Sequence, residues 1–87
     1  MMRPDLRGIS ARVFMRALEH DGFVWTRTNG SNRTLRHADG RRVVLAFHHL
    51  SDTLPTGTLR DLLKHTRWTD ADLRRLGLVS TPPEARA

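Results

Sequence analysis

Residues 22–48 read GFVWTRTNGSNRTLRHADGRRVVLAFH, and this stretch decides the fold. Phe23 to Thr28 is rich in aromatic and β-branched residues and ends at Asn29-Gly30, a pair that tolerates the positive φ values of tight hairpin turns. Arg33 to His37 reads as a second short strand. Asp39-Gly40 is a second hairpin signal, leading into a third strand from Arg42 to His48. The result is a three-stranded antiparallel meander. In its last strand Val43, Leu45 and Phe47 share one face, which is expected to meet helices, while Val44, Ala46 and His48 share the other.

The flanks supply those helices. Upstream, Ser10 is placed as an N-cap, Ile9 as a staple onto Phe14, and Val13, Phe14, Ala17 and Leu18 as an apolar side that ends at Gly22. Arg12, Arg16, Glu19 and His20 fall on the opposite side, so this helix covers a core with one face. Downstream, a loop from Leu50 to Pro55 precedes a helix for which Thr56 is the expected cap, with Leu59, Leu62 and Leu63 as its apolar stripe. Thr69 with Asp72 forms a capping-box pattern, and Trp68 with Leu73 the matching staple, for a short third helix ending near Gly77. The predicted architecture is therefore α+β: a meander with helices packed on one face, in the order α-β-β-β-α-α, and an open sheet face left for function. Residues 1–79 are expected to form one domain, and the tail from Ser80, with Pro82-Pro83, to be frayed.

Composition narrows the function classes. The 87 residues contain no cysteine, so disulfides and thiolate metal sites are excluded and a reducing cytoplasm is expected. No stretch approaches the ~18 apolar residues of a membrane span, and the N-terminus carries no apolar signal segment. The formal net charge is +6, and of the fifteen cationic side chains only Lys64 is a lysine. Such a surface attracts a polyanion, and arginine's planar fork suits phosphate. An acidic protein partner would be served by the same charge, so nucleic acid and protein both stay open on this ground. Arg27, Arg33, Arg36, Arg41 and Arg42 lie on or beside the strands; each read singly is a solvated surface charge, and as a group they point to phosphate. Trp25 offers a ring that can stack on a base, but in so small a domain core packing is the expectation.

Familiar catalytic patterns are missing. There is no Gly-rich phosphate loop, no paired-carboxylate motif, and no His-x-x-x-His helix; His48 and His49 are adjacent and point to opposite faces of a strand end, a poor metal pair. What stands out instead is spacing: Gly22-Phe23, Arg27, Gly30-Ser31-Asn32, Phe47-His48, then Leu54-Pro55-Thr56-Gly57-Thr58-Leu59 with Leu62-Leu63. From about Ser10 to Thr66 this resembles the HicA toxins, small messenger-RNA interferases that inhibit translation, have a fold like the double-stranded-RNA-binding domain, and pair with HicB antitoxins.

The resemblance implies a catalytic histidine in a Gly-Ser-His motif at the start of the second strand, where this chain has Asn32. It also implies a proline where this chain has Ala46, two residues before His48. RNA cleavage needs a group that takes a proton from a 2′-hydroxyl near neutral pH and returns one to the leaving oxygen, and asparagine has no such titration. The expectation is thus a toxin, an endoribonuclease by family, acting without a cofactor, impaired at Asn32 and bound by a HicB-like antitoxin. Arg27, Gly30, Ser31, Arg33, Arg36 and His48 are the expected RNA-contacting residues. Two other readings accompany it: an RNA-binding module without catalysis, and a basic protein-interaction domain.

Overall fold

A computed structural model describes residues 8–79 of the chain. The element order is α1 (Ala11–His20), β1 (Val24–Asn29), β2 (Asn32–Arg36), β3 (Arg42–Ala46), α2 (Thr56–Thr66) and α3 (Asp70–Arg75). This is the α+β arrangement that the sequence predicts. The tail expected from Ser80 lies outside the described residues. Among those residues, no helix is long and apolar enough to cross a membrane.

Helix α1 starts where its cap allows. The backbone of Ser10 is extended and its hydroxyl accepts the Val13 N–H at 3.2 Å, satisfying one of the amides a helix leaves orphaned at its start. The carbonyls of Asp52 and Leu50 accept those of Ala11 and Arg12 at 2.8 and 2.9 Å, so the loop after β3 serves as a second cap. The helix buries Ala11, Phe14, Met15, Ala17 and Leu18. Gly22 then reverses the chain at φ +102°, and a Cβ there would lie 3.0 Å from His37 Nε2, so handedness and space both call for glycine.

The strands form an open sheet in the order β1-β2-β3, antiparallel throughout. Leu35 faces Val43 and Arg33 faces Leu45 across the β2–β3 ladder. Leu35, Val43, Leu45 and, beyond the strand, Phe47 are buried, which confirms the predicted inner face. They join Phe14, Leu18, Phe23, Leu54, Leu59, Leu62, Trp68 and Leu73 in one core. The Trp68 ring packs on Phe14 at 5.5 Å and edge-on to Phe23 at 6.4 Å. Phe14 is wholly buried, and its truncation to alanine would cost about 3–5 kcal/mol.

Strands β1 and β2 each lie one residue away from the expected bounds, β1 later and β2 earlier, and three further boundaries differ from the sequence reading. The β1–β2 turn is centred on Gly30-Ser31 rather than Asn29-Gly30, because Asn29 and Asn32 form the last pair and only Gly30 takes positive φ. Strand β3 stops at Ala46 rather than His48, since the N–H groups of His48 and His49 turn to the Asp52 carboxylate at 3.3 and 3.0 Å. Those hydrogen bonds, strongest from His49, hold the Asp52 carboxyl below its ordinary pKa despite partial burial. The cap of α2 is Pro55, with no side-chain hydrogen bond, and Thr56 is already helical. Helix α3 follows the prediction at its start: the Thr69 hydroxyl accepts the Asp72 N–H and the Asp72 carboxylate accepts the Thr69 N–H.

One polar cluster ties the far ends of these elements together. The Asp21 carboxylate, at the end of α1, accepts Trp68 Nε1 at 2.8 Å and an Arg75 guanidinium N–H at 3.1 Å, and lies 3.2 Å from Arg41 Nη2. Burial alone would raise its pKa; the bonds from Trp68 and Arg75 and the charges of Arg41 and Arg75 outweigh this and hold it low. Arg41 also bonds Asp39 at 2.8 Å and the Thr66 carbonyl, so each of its three guanidinium nitrogens has a partner inside the fold.

A candidate nucleic-acid interface

The open sheet face is built from three cross-strand rows. Ladder pairing puts Asn29, Asn32 and Ala46 in the first row, Arg27, Thr34 and Val44 in the second, and Val24, Arg36 and Arg42 in the third. Opposed side chains in such rows stand about 4.5–5.5 Å apart at Cβ, and successive rows about 7 Å apart. All of these residues except the half-buried Thr34 are exposed. A groove along the β3 border, lined by Arg42, Val44, Thr58, Asp61, Leu62 and His65, continues the face toward α2.

Asn32 occupies the head of this face, one residue past the turn. Its side chain is exposed and makes no hydrogen bond among the described residues. Gly30 and Ser31 form the turn that delivers it; Gly30 has open space around its α-carbon, so a ligand can approach the backbone there. His48 lies just beyond β3 in the turn gathered by Asp52, exposed, with a ring that has no hydrogen-bond partner among the described residues.

The third row carries the electrostatic signal. Arg36 and Arg42 are direct partners in the β2–β3 ladder, both exposed, and neither has a carboxylate within ion-pair distance among the described residues. Like charges placed opposite one another in a sheet oppose folding by a few tenths of a kcal/mol to about 1 kcal/mol. An anion between them would reverse that sign. Arg36 is among the residues expected to contact RNA, whereas Arg42 belongs only to the general basic group; the alternation of the third strand is the signal that Arg42 shares the open face with Val44 and Ala46.

Not every residue expected at the interface stands on this face. Arg27 and Arg36 do. Arg33 has the parity of Leu35 and turns inward: Nη1 donates to the carbonyls of Ser31 and Phe47 at 2.7 and 2.6 Å, and the guanidinium lies 4.0 Å over the Phe47 ring. Its Nε is buried without a hydrogen-bond partner. Arg33 therefore braces the turn that presents Asn32. His37, at the opposite end of β2, has both ring nitrogens occupied: Nε2 donates to the Asp21 carbonyl at 2.7 Å and Nδ1 lies 3.1 Å from the Asp39 amide nitrogen. At about 3.3 Å per residue, that ring is rooted some 16 Å from Asn32, too far to share a reacting atom with it.

Comparison with known families adds the decisive observation: residues 11–68 match the family described as HicA toxin of bacterial toxin-antitoxin. The chain belongs to the HicA toxin family. The match spans α1 to the residue before the α3 cap, so it takes in the whole sheet and both ends of the open face. No individual curated protein matches the chain significantly. A HicA toxin is one half of a toxin-antitoxin pair, and the family is generally one of ribonucleases.

Proposed function

We propose that this HicA-family chain binds messenger RNA across its open sheet face, that Asn32 stands at the family's catalytic position and leaves the chain impaired in cleavage, and that a HicB-like antitoxin neutralises it by covering the same face. The observation that carries this reading is Asn32 itself: an exposed side chain, without a hydrogen bond among the described residues, at the head of a face whose far row is the Arg36–Arg42 couple, which has no carboxylate partner among those residues. An amide there can hydrogen-bond a ribose or phosphate oxygen but cannot exchange a proton near neutral pH. RNA affinity then rests on Arg27, Arg36 and Arg42, with Gly30, Ser31 and His48 at the head of the face. A basic face of this kind also suits an acidic antitoxin.

The test is Asn32→His. The site is exposed and outside the core, so the fold should change in stability by no more than about 0.5 kcal/mol. Cleavage of a messenger RNA should rise by roughly 10²- to 10⁴-fold, with a rate that follows a histidine titration. A folded Asn32→His protein that binds RNA without cutting it would instead favour the non-catalytic binding module.

A further inference from the structure

Trp25 is the largest apolar side chain that the fold leaves in solvent, at 48% exposure, although packing in the core is what its sequence context predicts. The reason is topological. Strand β1 is a border of the sheet, and every residue in it is exposed. A bulge between Trp25 and Arg27 bends that border. The indole is nevertheless held in place: Nε1 donates to the Thr28 hydroxyl at 2.9 Å and to the Arg27 carbonyl at 3.2 Å. Its polar handle is thus spent inside the strand, and what it offers to a ligand is π surface. Trp25, Thr26, Arg27 and Thr28 together line a shallow recess.

From this we infer that Trp25 is a stacking platform for one unpaired nucleobase at the β1 border. Its ladder partner is the inward-facing Leu35, so the ring stands on the helix side of that border, and Arg27, across the bulge on the open-face side, holds the adjoining phosphate of a single strand that passes from the open face over the rim. The inference rests on the RNA-binding reading above. A ring with its N–H saturated recognises by stacking, which tolerates any base, and a base exposes its π face only when unpaired. The neighbourhood selects a polyanion as the bearer of that base: Arg27 is exposed on the same strand, and Arg36 pairs with Val24 one position from Trp25. Border placement has a further consequence. The strand can be followed past the sheet and around its rim, where a rigid duplex would meet only the open face.

The experiment uses the 87-residue chain with a non-self-complementary RNA oligonucleotide, alone and annealed to its complement, and compares Trp25→Thr, Trp25→Phe and the double variant Arg36→Gln/Arg42→Gln. Trp25→Thr should weaken single-strand binding by roughly 5- to 100-fold and leave duplex binding unchanged. Trp25→Phe should restore most of the loss. Tryptophan emission of the unmodified chain should be quenched by the single strand, and the quenching should vanish in Trp25→Phe, because Trp68 is buried. If Trp25→Thr binds single strands as tightly as the unmodified chain while the arginine variant does not, the platform is refuted and the RNA-binding face stands. If the unmodified chain binds neither form at low salt, both readings fall. If Trp25→Thr loses affinity only for an acidic antitoxin, Trp25 is a protein contact and the inference is overturned.

Discussion

Arg33 and Arg36 stand three residues apart on one strand and have opposite fates. Arg33 faces the helices, bonded to two carbonyls and stacked on Phe47, whereas Arg36 faces solvent opposite another arginine. The same division runs through the molecule. At one end Arg41 and Arg75 close around Asp21, and on the open face Arg27, Arg36 and Arg42 have no carboxylate partner among the described residues. Net charge counts both groups alike. Only the second is available to a polyanion, so binding and stability should respond to different arginines.

The largest expected effect lies in the internal group. Asp21→Ala removes the acceptor of Trp68 Nε1 and the counter-charge of Arg41 and Arg75 at once, leaving polar groups without partners. A loss of roughly 2–3 kcal/mol is expected, which for a domain of this size lowers Tm by about 8–24 °C. RNA affinity measured well below the new Tm should be unchanged. A large loss of affinity with Tm intact would break the division between the two groups.

The converse experiment is Arg36→Gln/Arg42→Gln. Tm should stay level or rise slightly, because a like-charge pair across the ladder is relieved. RNA affinity should fall about tenfold or more near 0.1 M salt. The slope of log K against log salt should become shallower by about 1.4, the share of two phosphate contacts on a single strand. An unchanged slope would remove these two arginines from the interface.

Why the sequence separates these groups only in part is a matter of range. Strand alternation is local, and it correctly assigned Val43, Leu45 and Phe47 to the core; the same parity, applied to Arg33 and Leu35, would have turned Arg33 inward. The caps at Ser10 and Thr69 were legible because each is completed within three residues. The Asp21 cluster is not of that kind. Its partners Trp68 and Arg75 lie 47 and 54 positions away, Arg41 lies on the far side of two strands, and no spacing rule connects them. Trp25 was misread for a related reason: periodicity gives a residue's side of a strand, but not whether that strand is a border uncovered by helices. Asn32 was legible as a departure from a family motif, and its exposure followed from the adjacent turn.

A smaller effect sharpens the role of Arg33. Arg33→Lys keeps the charge but loses the fork that reaches the Ser31 and Phe47 carbonyls and the planar stack on Phe47. We expect about 1 kcal/mol of destabilisation and, in an Asn32→His background, a fall in cleavage, since the turn that presents position 32 loosens. Loss of RNA affinity at a single phosphate's worth of salt slope, with Tm unchanged, would instead make Arg33 a direct contact.

The smallest effect is read against pH. In the folded chain the Asp21 carboxyl has a lowered pKa, the bonds from Trp68 and Arg75 prevailing over desolvation. Its ordinary value is 3.8, so the unfolded chain binds a proton there before the folded chain does. The sign follows directly: the ionised form stabilises the fold fully above about pH 4, and this contribution is lost as pH falls through 3.8 toward the folded value. Asp21→Asn keeps an acceptor for Trp68 but cannot titrate. Its stability deficit relative to the unmodified chain should therefore be constant from neutral pH to about pH 5 and shrink below pH 4, as measured by urea unfolding across that range. Asp39, Asp52 and Asp72 also have lowered pKa values, chiefly from backbone N–H groups, so both proteins should lose stability in acid. It is the narrowing gap between them that isolates Asp21. A deficit that stays constant down to pH 3 would mean that the charge of Asp21 adds nothing beyond its hydrogen bonds, and that Arg41 and Arg75 are held by the other partners of the cluster.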